Sequence, residues 1–206
     1  MAPVPAVERA ATSQIGTGPR WTAIVIFTAT VLQLAVAAFV PDLPQFEGKG
    51  FGARLVAYPA MMLLVPLLWF LRNRGRRAEP PWTAFALIMA PFLIDVSGNT
   101  ADLYDTVVWW DDANHLVNWF LLCAGLGLLV ARADVRPRWA LALLVAGIGA
   151  LLAIGWELGE WYTFIRHGTE LATAYEDTLG DEVLGSLGAV LAGLLVVRLS
   201  RRPWRP

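Results

Sequence analysis

Long apolar segments separated by short polar stretches dominate the chain. Six of these segments approach the roughly 20 residues that a helix needs to cross a hydrocarbon core about 30 Å thick. They lie at about 21–40, 55–71, 82–104, 114–131, 139–164 and 178–197. None alternates with the period of a strand, and inside lipid only helices or a closed barrel satisfy the backbone. The pattern therefore predicts an all-α integral membrane protein, a six-transmembrane-helix bundle that forms one membrane domain over residues 21–198.

The basic residues orient this predicted bundle. All but three of the 16 lysines and arginines fall at one end of a path that crosses the membrane six times. The exceptions are Lys49, Arg54 and Arg166. Because basic residues accumulate on the cytoplasmic side, we expect both termini there. Residues 1–20 then form a cytoplasmic N-terminal segment, and residues 199–206 a basic cytoplasmic tail.

Composition and motifs exclude several classes of function. Hydrophobic residues make up 57% of the chain and charged residues only 16%, whereas soluble domains carry about 25% charged residues. Two histidines are too few for bis-histidine haem ligation across helices, and the zinc-protease and serine-hydrolase motifs do not occur. Topology and contact with anionic lipid account for the arginine clusters. The lipid bilayer is therefore the expected partner, a nucleic acid is not, and the oligomeric state stays open.

Acidic residues collect at the opposite end from the arginines, and some of them fall inside predicted spans. The apolar part of the third span, 82–94, covers only about 20 Å at 1.5 Å per residue before it reaches Asp95. Asp95, Asn99 and Asp102 recur at helical spacing and would share one face, unless the helix breaks at the Ser-Gly pair between the first two. The spacing therefore predicts either a carboxylate within the membrane or a broken helix.

Two other spans carry acids on faces of small residues. Along the fifth span, Glu157 and Glu160 lie on a stripe of alanines, and small residues mark the faces where membrane helices approach closely. Along the sixth span, Asp181 continues at four-residue steps through glycines and an alanine. The fourth span opens with acidic residues followed by His115. We therefore predict that carboxylates and one histidine converge inside the acidic end of the bundle.

Such an oxygen-rich cluster is typical of a divalent cation site, and a histidine extends the range of metals from Mg to Mn and Zn. The candidate metal ligands are His115, Asp112, Glu157, Glu160, Asp177 and Asp181. The candidates for binding a cofactor or other ligand are Asp95, Asn99 and Asp105. If the protein is an enzyme, Glu157 or Glu160 would act as ligand or general base, and His115 as ligand or acid.

Other roles remain open from the sequence alone. Asp111, Asp112 and Asp177 could simply cap helices, and His115 could hydrogen-bond Asp111 or Glu157. Three functions fit the pattern. The site could act on a lipid or envelope-precursor headgroup, it could couple transport to protons or cations, or the protein could be a non-catalytic envelope assembly or antibiotic-tolerance factor.

The order of short motifs in the second half of the chain resembles two membrane protein families. The motifs are Gly98-Asn99, Leu103-Tyr104-Asp105, Asp112-x-x-His115, Trp156-Glu157-x-x-Glu160 and Asp177-Thr178-x-x-Asp181. Over about residues 82–197 they resemble the YjdF-like bacterial inner-membrane proteins, which implies a multi-pass inner-membrane protein but no particular activity. The layout of Asp111, His115, Glu157 and Asp181 is also distantly similar to the VanZ-like proteins, which implies a link to glycopeptide-antibiotic tolerance. Those proteins usually carry a lysine after the first aspartate, where this chain has Asp112.

Overall fold

The computed structural model describes residues 6–40, 43–166 and 172–200, which fold into helices joined by short connections. The helices are α1 (Ala6–Phe39), α2 (Phe51–Arg72), α3 (Trp82–Thr100), α4 (Leu103–Thr106), α5 (Trp110–Val130), α6 (Arg138–Glu160) and α7 (Ala174–Leu199). Shorter elements are the 3₁₀ turns Pro44–Phe46 and Ala131–Ala133 and the π-helical turn Trp161–Ile165. The first five residues and residues 201–206 of the predicted cytoplasmic tail lie outside the described residues.

Six of the described helices are long and apolar enough to cross a membrane. They are α1, α2, α3, α5, α6 and α7, and no strand occurs in the described ranges. Large side chains such as Leu32, Val56 and Leu151 are exposed on the outside of the bundle, where lipid would cover them. The predicted fold class, an all-α six-span membrane protein, is therefore confirmed.

The third span is shorter than the sequence pattern suggested. The pattern extended it to residue 104, but α3 ends at Thr100, and the Ser-Gly pair at 97–98 lies inside the unbroken helix. Asp102 adopts the left-handed conformation with a φ of 59°, and the four-residue helix α4 follows it. Because a left-handed residue cannot continue a right-handed helix, Asp102 leaves the face that carries Asp95 and Asn99.

Helices α3, α5 and α7 form the middle of the bundle. Helix α5 packs on both α3 and α7, while α1 covers α3 and α6 covers α7. Close approach of α5 and α7 depends on Gly188, because a Cβ atom there would lie 2.4 Å from the carbonyl oxygen of Leu116. This contact lies next to His115 on α5 and seven residues after Asp181 on α7. The small residues of α7 therefore set the distance between these two polar side chains.

The two ends of the bundle differ in chemistry. Consecutive spans run in opposite directions, so the starts of α1, α3 and α6 share one end with the ends of α2, α5 and α7. This basic end carries Arg20, which lies over the ring of Trp82 on the neighbouring helix start, as well as Arg72 and Arg138. The opposite, acidic end holds four buried polar side chains: Asn99, Asn114, Glu157 and Asp181. The candidate chemistry is thus confined to one end of the described helices.

Candidate functional site

A cavity of about 610 Å³ lies at the acidic end. Helices α2 to α7 all contribute to its wall, together with the loop that precedes α2. Its apolar lining comes mainly from Pro91, Phe92, Trp119, Leu122, Trp156 and Ile165. Its charged or titratable lining includes Lys49, Arg54, Asp95, Asp105, Asp111, His115, Glu160 and Asp177. A volume in the range of about 300–1,000 Å³ with this mixed lining is typical of small-molecule sites.

His115 lies between carboxylates on two sides of its ring. Its Nε2 atom is 3.6 Å from Asp181 Oδ1 and 3.8 Å from Asp111 Oδ1, and its Nδ1 atom is 3.9 Å from Glu157 Oε1. These distances exceed the roughly 2.7–3.2 Å of an N–H···O hydrogen bond. The side chain is only 10% exposed, and Nδ1 is buried without a hydrogen-bond partner. The simple hydrogen bond to Asp111 or Glu157 is therefore not made, and a gap remains beside both ring nitrogens.

Two sets of candidate metal ligands meet at this histidine. One set is Asp111, His115 and Asp181, and the other is His115, Glu157 and Glu160. Within each set, one ligand atom per residue lies within 4.8 Å of the others. Four of the six ligands predicted from the sequence are thus brought together, and Asp111 joins them. The chain is able to offer three ligand atoms to one ion in either arrangement.

The other two predicted ligands lie outside both sets. Asp112 is exposed, because one residue further along α5 turns the side chain about 100° away from Asp111. Asp177 is also exposed, and it lines the cavity one helical turn before Asp181. Of these acidic residues, Asp111 on α5 and Asp181 on α7 therefore belong to a ligand set, while Asp177 contributes only to the cavity lining.

Helix α6 supplies Glu157 from its buried stripe. Its buried residues recur every four positions as Leu141, Val145, Gly149, Ala153 and Glu157. Glu157 is 6% exposed, and Glu160 one turn later lines the cavity. A π-helical turn, Trp161–Ile165, follows directly, and such turns often accompany functional sites. The inward direction that the small-residue face indicated for Glu157 is thus observed.

Asp95 belongs to a second polar group in the cavity lining. Its Oδ2 atom accepts hydrogen bonds from Arg54 at 3.0 Å and from the Tyr58 hydroxyl at 2.6 Å. Its Oδ1 atom accepts one from the Tyr104 hydroxyl at 2.7 Å. Asp95 was predicted to be a ligand-binding carboxylate, and its own sequence pattern did not indicate these three partners. The available signal was Arg54 and Tyr58, four residues apart on one face of the second span.

Two asparagines extend this group into α5. The Asn114 side-chain amide donates to the Tyr104 hydroxyl at 2.9 Å, and the Asn118 amide donates to Asn114 Oδ1 at 3.0 Å. Asn118 Oδ1 is buried without a hydrogen-bond partner. Asn99, a predicted ligand-binding residue, lines the cavity while its amide donates to the Asp95 backbone carbonyl at 3.1 Å. A continuous hydrogen-bonded series thus runs from Asp95 on α3 through Tyr104 to Asn114 and Asn118 on α5, the helix that also carries His115.

Asp105, the third predicted ligand-binding residue, forms an ion pair instead. Its carboxylate contacts the ammonium group of Lys49 in the loop between α1 and α2. Hydrogen bonding to Lys49 lowers the pKa of Asp105, although its side chain is 53% exposed. Both residues line the cavity. The pair therefore joins the loop before α2 to helix α4 beside the cavity.

Comparison with known proteins is in keeping with this architecture. No solved structure matches the chain at a significant level. A family model described as a predicted membrane protein, DUF2238, matches residues 22–202, which include the first span from residue 22 onward and the other five spans in full. This match confirms the resemblance to a YjdF-like membrane family that the motifs indicated. The chain is thus a multi-pass membrane protein and belongs to the DUF2238 family.

Proposed function

We propose that this protein binds a divalent cation at the His115 cluster and uses it to act on the headgroup of a membrane lipid or lipid-linked envelope precursor. The observation that carries the proposal is the imidazole of His115. It is nine-tenths buried, has carboxylates on both sides, and makes no hydrogen bond from Nδ1. Since a buried polar atom without a partner is costly, a ligand between the ring and the carboxylates would remove that cost.

The spacing around His115 suits a metal ion. Two ligand atoms bound to one tetrahedral zinc at about 2.1 Å lie about 3.4 Å apart. The His115 Nε2 atom is 3.6 Å from Asp181 and 3.8 Å from Asp111, so a shift of a few tenths of an ångström would complete such a geometry. In that arrangement Nδ1–H would donate to Glu157, in the way that carboxylates orient metal-binding histidines. The mixed oxygen and nitrogen ligands favour Zn or Mn over Mg.

The place of the cluster in the cavity supports chemistry on a bound headgroup. Asp111, His115 and Glu160 line the cavity, whereas Glu157 and Asp181 lie behind them at 6% and 5% exposure. Glu160 could therefore reach a substrate as a general base, while the two buried acids hold the metal or orient the imidazole. We also propose that the acidic end faces outward from the plasma (inner) membrane, because the arginines gather at the opposite end.

Metal analysis of the purified protein tests the proposal. We expect close to one equivalent of Zn or Mn after reconstitution, and a loss of most of it in Glu157→Gln and Asp181→Asn. Asp111→Asn and Asp112→Asn form a matched pair, because they are neighbours of the same type and only Asp111 belongs to a ligand set. Absence of bound metal in the unaltered protein, or equal losses in the matched pair, would refute the cation site.

The transporter alternative makes a different prediction. A proton or cation path needs polar groups through to the basic end, as proton relays in transporters have. Among the described residues, the buried polar side chain nearest that end is Thr30, whose hydroxyl is bonded to the Ile26 carbonyl of its own helix. A site confined to one end favours binding or catalysis. Carboxylate-dependent proton flux in proteoliposomes after a pH jump would reverse this ranking.

A further inference from the structure

A series of hydrogen bonds with a fixed direction runs along the cavity lining from Asp95 to Asn118. It begins at Asp95, which faces Arg54 at 3.0 Å and therefore takes part as a carboxylate. An ionised carboxylate accepts hydrogen bonds and cannot donate one. The hydroxyl of Tyr104, 2.7 Å from Asp95 Oδ1, must therefore be the donor in that contact. Burial, and then the nearby carboxylate of Asp95, raise the pKa of Tyr104 far above its usual value, so the hydroxyl keeps its proton.

The direction set at Tyr104 passes along the two asparagines. The hydroxyl proton of Tyr104 is already donated to Asp95, so the Tyr104 oxygen accepts a hydrogen bond from Asn114. The NH₂ group of Asn114 must therefore face the tyrosine. The carbonyl oxygen of Asn114 then faces Asn118 and accepts from the NH₂ group of that side chain. Asn118 Oδ1 is thereby left as the end of the chain, buried and without a partner. The oxygen and nitrogen atoms of an asparagine amide are usually hard to distinguish. For Asn114 and Asn118 they are distinguished here, because the Asp95 carboxylate fixes the direction of every hydrogen bond that follows it.

The hydrogen-bonded series ends at an acceptor whose residue lines the cavity, although the oxygen atom itself is covered by neighbouring atoms. Asn118 lines the cavity beside Trp119, and Trp156 lines it from α6. A buried carbonyl oxygen without a partner is stabilised by a hydrogen-bond donor, such as a hydroxyl group. The same oxygen repels the oxygen atoms of a phosphate or carboxylate. Aromatic rings offer flat apolar faces to a ligand. A ligand with both hydroxyl groups and C–H faces, such as a sugar or polyol, matches this combination.

The charges around the cavity favour an uncharged ligand over an anion. Each of the two cationic side chains in the lining is already paired with a carboxylate, Lys49 with Asp105 and Arg54 with Asp95. The remaining acidic residues in the lining are Asp111, Glu160 and Asp177. A divalent cation at His115 would offset two of these three charges. The cavity would then still lack the excess of positive charge with which proteins attract phosphate groups.

We propose that this part of the cavity binds an uncharged, hydroxyl-rich group, with a C–H face against Trp119 or Trp156 and one hydroxyl donating to Asn118 Oδ1 once a small side-chain rotation uncovers that atom. The proposal deepens the headgroup function suggested above, but it does not depend on the cation. A glycolipid headgroup in the outer part of the bilayer and a free sugar share this chemistry.

Ligand titration tests the subsite. The full-length protein in phosphatidylcholine nanodiscs is titrated with monoglucosyl diacylglycerol, with its fully O-methylated analogue and with phosphatidic acid, and tryptophan fluorescence is recorded. We expect saturable binding of the glucosyl lipid and at least tenfold weaker binding of both others. Methyl glucoside in solution is titrated separately. Saturation by methyl glucoside as tight as by the lipid assigns the site to free sugars, and weaker saturation assigns it to glycolipids.

Variants of the chain separate this proposal from the cation site. Asn118→Leu should weaken binding of the glucosyl lipid by about tenfold, the equivalent of one good hydrogen bond. Asn73→Leu is the matched control, since Asn73 bonds a backbone carbonyl at the basic end. Equal binding of the methylated analogue, preference for phosphatidic acid, or equal effects of the two variants would overturn the proposal. Metal content measured on the same samples reports on the cation site independently.

Discussion

The contact between α5 and α7 at Gly188 allows a quantitative test of how packing controls the site. A Cβ atom at Gly188 would lie 2.4 Å from the Leu116 carbonyl oxygen and 2.9 Å from the Phe120 backbone nitrogen. Both neighbours are backbone atoms of α5, so neither can rotate away. Gly188→Ala must therefore move one helix by roughly 1 Å to reach an ordinary contact distance of about 3.4 Å. The same movement would separate His115 from Asp181.

The expected cost follows from two opposing effects. Alanine is favoured over glycine in a helix by about 0.8–1 kcal/mol. Overpacking a tight contact costs about 1–3 kcal/mol, and the rigid backbone on both sides places this contact near the upper end. The net loss is about 1–2 kcal/mol, or roughly 2–8 °C in thermal midpoint for a chain of about 200 residues. The His115–Asp181 gap would grow from 3.6 Å to about 4.6 Å, too wide for one ion to bridge.

Thermal midpoint and metal content, both measured in detergent, provide the assay. Gly147→Ala is the control, since a Cβ atom at this mid-span glycine of α6 would meet nothing within 4 Å. We expect Gly147→Ala to keep its metal and to be as stable as the unaltered protein or slightly more so. Gly188→Ala should lose both stability and metal. If Gly188→Ala matches Gly147→Ala in both measurements, the close approach of α5 and α7 does not set the geometry of the site.

Two further predictions concern the ion pairs. Arg54→Met should lower the free energy of unfolding by about 2–3 kcal/mol, because it leaves the carboxylate of Asp95 without its cationic partner. This loss is somewhat less than the loss for a fully buried ion pair. In thermal unfolding, adding Asp95→Asn to Arg54→Met should restore part of the lost stability. Because Lys49 lowers the pKa of Asp105, their pair adds stability above the usual aspartate pKa of about 4, and this stability is lost as the pH falls through the lowered value. Thermal midpoints of Asp105→Asn and the unaltered protein should therefore differ slightly at pH 7 and converge at low pH; a difference that persists in acid would contradict this assignment.

The spans and the inward acids could be predicted from the sequence because each depends on a single helix. An apolar run of sufficient length specifies a span whatever its neighbours are. Asp181 could be placed inside the bundle because a face of small residues continues below it. The inward direction of Glu157 was also predicted, although its buried face continues through Gly149 to Val145 and Leu141 and not along the alanine stripe. These inferences need only the helical period and the preference of small residues for helix contacts.

The pairing between helices could not be predicted in the same way. Arg54 and Asp95 are 41 residues apart in the chain, and their contact depends on how α2 and α3 rotate against each other. No single-helix pattern contains that rotation. The left-handed Asp102 depends likewise on the connection to α4, and the difference between Asp111 and Asp112 depends on a rotation of about 100° about α5. For a site assembled from several spans, the sequence thus predicts which residues take part better than it predicts which of them contact each other.

The depth of His115 has an electrical consequence. It lies five residues inside α5 and Asp181 seven residues inside α7, or about 7–10 Å below the helix starts. Across a core of about 30 Å, a charge there senses about a quarter to a third of the membrane potential. At about 2.3 kcal/mol per charge per 100 mV, a divalent cation would gain about 1–1.5 kcal/mol for each 100 mV when the opposite side is negative. With the proposed orientation, the site would be several-fold fuller in an energised cell than in detergent at the same free metal concentration.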